Sequence, residues 1–79
     1  MINAIYEMFP SEDFLSADGF DSAILGVESN TMVLIYSVQK CVDILCEDMS
    51  REDAIEYLEF NVFHTYCGEK TPIWCYDLV

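Results

Sequence analysis

A chain of 79 residues has room for one domain, since domains commonly run to 100 residues or more, and its core is small because a chain this size buries only a little over ~60% of its unfolded surface. Hydrophobic residues make up 53% of it and aromatic residues 14%, which excludes an intrinsically disordered tail. Fifteen acids against three bases give a net charge of −12, which excludes direct nucleic-acid binding and argues against anionic membranes, because both depend on Lys and Arg.

Residues 1–20 read as irregular or as a short helix, with Ser11 as a candidate cap for a helix start across Phe9 to Phe14. Asp18-Gly19 is a turn. Two short apolar runs, Ser22 to Val27 and Thr31 to Tyr36, flank Glu28-Ser29-Asn30, and the pattern over 22–36 predicts a β-hairpin with Asn30 in a left-handed conformation. The second run is β-branched and aromatic enough to be covered on both faces.

From Val38 the period changes. Val38, Cys41, Val42, Leu45, Cys46 and Met49 form a helical stripe, with Asp43 and Glu47 opposite, so residues 38–48 are predicted as a helix. Ser50 then resembles the start of a capping box, with Asp53 where Glu or Gln is usual. Glu52 and Asp53 suit a helix N-terminus, and the second helix is predicted over 51–67, stopped by Gly68 and followed by Pro72. Residues 72–77 (through Ile73-Trp74-Cys75-Tyr76) read as a last strand. The order β-β-α-α-β predicts one α+β domain over 1–79, a small antiparallel sheet of hairpin plus C-terminal strand packed against two helices.

The second helix carries the most information about function. At about 100° per residue, Ala54, Ile55, Leu58, Val62 and Tyr66 share one arc and form its core face. Glu52, Glu56 and Glu59 lie nearly opposite, and Phe60 and Phe63 project onto that acidic side. Carboxylates beside outward-facing aromatics have two explanations. Either the sheet, the N-terminal segment or a second subunit covers the rings, or the five residues are a partner-binding patch in which the rings anchor and the acids steer a basic partner.

Cys41, Cys46, Cys67 and Cys75 allow three readings. A disulfide framework needs a secreted protein, and Met1 to Pro10 lacks the basic and apolar regions of an export signal. A zinc site, with His64 as a ligand, conflicts with Cys41 and Cys46 pointing about 140° apart on a helix. Buried, reduced thiols and no bound metal are the expectation. No run of apolar residues is long enough for a transmembrane helix. Catalytic motifs fare no better: there is one histidine and no nucleophile elbow or phosphate loop, so neither an enzyme nor a cofactor is expected.

The stretch from Phe20 onward resembles a family of small acidic proteins of tailed bacteriophages. The resemblance rests on Phe20-Asp21-Ser22-Ala23-Ile24-Leu25-Gly26-Val27, Thr31-Met32-Val33-Leu34-Ile35-Tyr36, Asp53-Ala54-Ile55-Glu56-Tyr57-Leu58-Glu59-Phe60-Asn61 and Gly68-Glu69-Lys70-Thr71-Pro72-Ile73. It implies a viral origin and action in the host bacterial cytoplasm, and it carries over no catalytic or binding residue. In that setting two readings compete with a small enzyme. One is an inhibitor of a basic host or defence protein that handles nucleic acid, an anti-CRISPR-like mimic of nucleic-acid charge. The other is an accessory module whose charge serves solubility alone. Acids are spread over residues 1–60, so their distribution along the chain does not separate the two.

Overall fold

The computed structural model describes residues 2–63 and 65–78. Its elements in chain order are α1 (Ile2–Met8), a 3-10 turn (Asp21–Ala23), β1 (Ile24–Val27), β2 (Leu34–Ser37), α2 (Val38–Leu45), α3 (Arg51–Asn61) and β3 (Ile73–Cys75). The fold is α+β. No helix among the described residues is long and apolar enough to cross a membrane.

The N-terminal helix lies before Pro10, not after it. Ile5 turns into the core, and the helix closes with the Phe9 N–H on the Ile5 carbonyl (2.9 Å). A residue that precedes proline is pushed out of helical geometry, so Phe9 ends the helix instead of opening one. The chain from there to residue 20 is irregular but anchored, because Phe14 and Phe20 are buried. Tyr6 and Phe9 meet the Phe14 ring edge-on, at 5.6 and 6.4 Å between centroids.

The hairpin is present, with strands shorter than the apolar runs. Ile24 pairs with Tyr36 and Gly26 with Ile35, so Leu25 is the extra residue of a bulge. The turn differs from the sequence expectation. The Glu28 carboxylate accepts from the Asn30 and Thr31 amides (3.2 and 2.7 Å), and the Met32 N–H closes on the Glu28 carbonyl (2.9 Å). That closure moves the left-handed residue from Asn30 to Met32, whose φ is 56°.

The sheet order is β1-β2-β3. β1 and β2 are antiparallel, whereas β3 runs parallel to β2, with Ile35, Tyr36 and Ser37 opposite Ile73, Trp74 and Cys75. The expected all-antiparallel sheet is therefore a mixed one. The path after α3 explains it: Phe63 lies on Trp74, yet Lys70 reaches back to Met32, at the entry of β2. The chain thus returns along the sheet before β3 begins, and β3 enters from the same end as β2.

Both helices end earlier than predicted. Ser37 caps α2, its hydroxyl accepting from the Lys40 N–H (3.0 Å). Val38, Cys41 and Val42 bury the predicted stripe. α2 stops at Leu45 and leaves Cys46 exposed; Glu47 and Asp48 follow, where the negative end of a helix disfavours acids. α3 is capped by Ser50, which accepts from the Asp53 N–H (3.2 Å) as expected. It ends at Asn61, whose side-chain amide donates to the Tyr57 carbonyl (3.1 Å), while the Val62 and Phe63 N–H groups both close on Leu58. Gly68, at φ 98°, therefore opens the turn to Thr71 instead of terminating α3.

Two polar clamps join the ends of the chain to this frame. Lys70 Nζ meets Glu12 Oε1 (3.0 Å) and the Met32 carbonyl (2.9 Å) and lies 5.6 Å from the centre of the Phe14 ring. Lys70→Met is expected to destabilise the fold by about 1–2 kcal/mol in denaturant titration, since hydrogen bonds from a charged group exceed an exposed ion pair in value. Glu12→Gln is expected to cost less. The second clamp is the Ser37 hydroxyl, which donates to Asp77 Oδ1 (2.7 Å). That bond, helped by Asp77's own N–H, the Gln39 N–H and Lys40, holds the Asp77 carboxyl below the usual aspartate range. A lowered folded-state pKa gives stability that is present above the unfolded value and lost as pH falls through the folded one. Asp77→Asn is therefore expected to melt below the parent at neutral pH. The gap should narrow below about pH 4 and vanish once the parent's Asp77 is protonated.

Candidate functional site

The candidate site is the outer surface of α3 and the end of β3. Ala54 and Leu58 are fully buried, and Ile55 and Val62 pack partly against the core, which fixes the rotation of α3 as the residue angles predicted. Tyr66 is the exception on the core face. It lies beyond the helix end and is 79% exposed, because the early stop at Asn61 takes it off that face.

With the inward face set, Glu52, Glu56 and Glu59 are all exposed. The ion pair among the described residues is Lys70 with Glu12, so these three carboxylates have no ion-pair partner among the described residues. Phe60 is 79% exposed, on a shallow hollow bounded by Met49, Asp53, Glu56, Tyr57 and Asn61. Phe63 does not join it. Its ring turns inward and rests on Trp74 at 5.4 Å, tilted by 41°.

The five residues singled out in the sequence therefore fall into separate places. Glu56 and Phe60 share one hollow with Asp53 and Tyr57. Glu59 and Phe63 share another with Val38, Trp74 and Tyr76. Glu52 stands in the first turn of α3 and lines neither. Of the two explanations weighed for the rings, covering by the sheet holds for Phe63, and outward exposure holds for Phe60. Trp74 and Tyr76 were missed as site residues, although alternation along a strand puts residues two apart on one side. That spacing was the available signal.

The cysteines are free, but only Cys41 is buried; Cys46 and Cys67 are exposed and Cys75 is half-buried. This corrects the expectation of buried thiols throughout, and the two exposed ones follow from the early ends of α2 and α3. Burial, with Asp77 nearby, pushes the Cys41 thiol up to about 11, so it stays protonated and unreactive at neutral pH. His64, weighed as a zinc ligand, lies outside the described residues. Among the described residues, no three His, Cys, Asp or Glu side chains gather where they would hold a metal ion.

Chemically, this surface offers carboxylates, exposed aromatic rings and shallow hollows. Comparison with protein-family models, with curated proteins and with solved structures returned no match.

Proposed function

We propose that this protein binds a basic protein partner, one that handles nucleic acid, and keeps it from working. The observation that supports this reading is Phe60, a phenyl ring left 79% exposed on a helix whose neighbouring acids have no ion-pair partner among the described residues. Such a ring gains roughly 25 cal/mol for each Å² that a partner removes from water. Carboxylates around it attract a basic surface and speed encounter. They also offer negative charge where a basic cleft accepts phosphates, which is the logic of nucleic-acid mimicry. The resemblance to small acidic phage proteins supports a host or defence protein in the bacterial cytoplasm as the target, in the manner of an anti-CRISPR protein. A homodimer through the same face would set like charges against each other.

One observation favours the plainer accessory reading. Acids such as Glu7, Asp13, Asp18 and Asp21 are exposed far from α3 in the chain, as charge that serves solubility would be. Charge reversal separates the two. Glu52→Lys, Glu56→Lys and Glu59→Lys together are expected to abolish capture of the partner from bacterial lysate while circular dichroism stays unchanged. Capture by the parent should weaken as salt rises, because exposed charges beyond a Debye length of about 8–10 Å are screened. Phe60→Ala should weaken binding by more than about 2 kcal/mol, as a hot spot does. A triple variant that captures every partner as tightly as the parent would replace this proposal with the accessory reading.

A further inference from the structure

The second hollow, beside β3, has a chemistry of its own. Phe63, Trp74, Tyr76, Val38 and Glu59 line it, and it is an open hollow of about 380 Å³. Trp74 is held rigidly, stacked on Tyr36 at 4.8 Å and 25° and touched by Phe63 at 5.4 Å. Tyr76 is 69% exposed, so its ring is open to an incoming group. Asp77 follows it and lines the adjoining hollow with Phe63 and Tyr76.

The geometry points to an aromatic cage for the guanidinium of an arginine side chain presented by the basic partner. Aromatic rings such as the three that line the hollow attract a cation through their quadrupoles, and a planar guanidinium both stacks on rings and pairs with a carboxylate such as Glu59. The charge around the hollow suits that occupant and no second copy of this chain, whose matching surface is also acidic. Among the described residues the chain's own cations are engaged with other groups, although Arg51 lines the adjoining hollow with Phe63, Tyr76 and Asp77. Lys70 holds Glu12 and the Met32 carbonyl, and Arg51 turns its Nη2 to Gln39 Oε1 (3.3 Å). Lys40 sits close enough to Asp77 to help hold its carboxyl down. Among the described residues the cation over a ring is Lys70 on Phe14, not any cation on the cage.

This inference rests on the proposed binding of a basic partner and names the group recognised. It is tested without that partner, because Trp74 is the chain's one tryptophan and reports on its own site. A capped glycine-arginine-glycine peptide should change Trp74 fluorescence in a saturable way, and the citrulline analogue, which lacks the charge, should not. Tyr76→Ala and Glu59→Gln should each weaken the response about two- to five-fold, the worth of one exposed cation–ring contact or ion pair. Glu7→Gln, exposed on the N-terminal helix, should leave it unchanged. The cage is overturned by a missing response, by an equal response to citrulline, or by full affinity in both Tyr76→Ala and Glu59→Gln. Loss of partner capture on triple charge reversal, alongside such a negative result, would leave the acidic face standing and remove the cage alone.

Discussion

The fold turns on Tyr36, a large side chain with no exposed surface in the middle strand of the sheet. Its backbone pairs with Ile24 on one side and Trp74 on the other, and its ring stacks on the Trp74 indole. Its hydroxyl accepts from the Ala17 N–H at 2.7 Å. A buried phenol without a partner costs about 1–3 kcal/mol, so this bond fixes the irregular N-terminal segment to the sheet. Burial raises the Tyr36 hydroxyl above the usual tyrosine range, keeping it neutral at neutral pH. One residue thus joins the N-terminal segment, the hairpin and the last strand, and it sets the plane of the Trp74 ring.

A chain with net charge −12 works against its own compactness, since like charges repel most when the chain is folded. The structure answers with apolar packing and with the placement of its few bases. Lys70 takes the position where three segments meet. The acids left over are almost all exposed, Glu12, Glu28 and Asp77 being the half-buried ones. Glu28 closes the hairpin turn and Asp77 bonds Ser37 at the start of α2, and both carboxyls are held below their usual values by those hydrogen bonds. The structural acids are thus the ones with partners. Those along α3 have no ion-pair partner among the described residues.

Much of this was legible because it is written in local periods. The stripe Val38-Cys41-Val42, the inward pair Ala54 and Leu58, the cap at Ser50 and the α+β class all follow from spacing. What was not legible depends on contacts far apart in the chain. The direction of β3 follows from the return of the chain between Phe63 and Lys70, which no pattern within 72–77 records. The end of α3 follows from Phe63 meeting Trp74, eleven positions later, which outweighed the helical spacing of Val62 and Tyr66. The N-terminal helix is a different case. Ile2, Ile5 and Phe9 stand at helical intervals before Pro10, and the signal was there to read. Of the site, the outward placement of Glu52, Glu56, Glu59 and Phe60 was visible in the angles, while the spacing of Trp74 and Tyr76 marked one side of a strand without showing that Glu59 and Phe63 would share a hollow with them.

The central claim is that recognition of a basic chain is localised on α3 and β3 and not spread over an acidic surface. Amide and indole chemical shifts recorded while an arginine-rich peptide is added test it directly. The account predicts that the Trp74 indole N–H and the amides of Glu56, Glu59, Phe60, Phe63 and Tyr76 move together and saturate, while Glu7, Asp13 and Asp21 stay in place. Equal, non-saturating shifts at acids all over the molecule would contradict it.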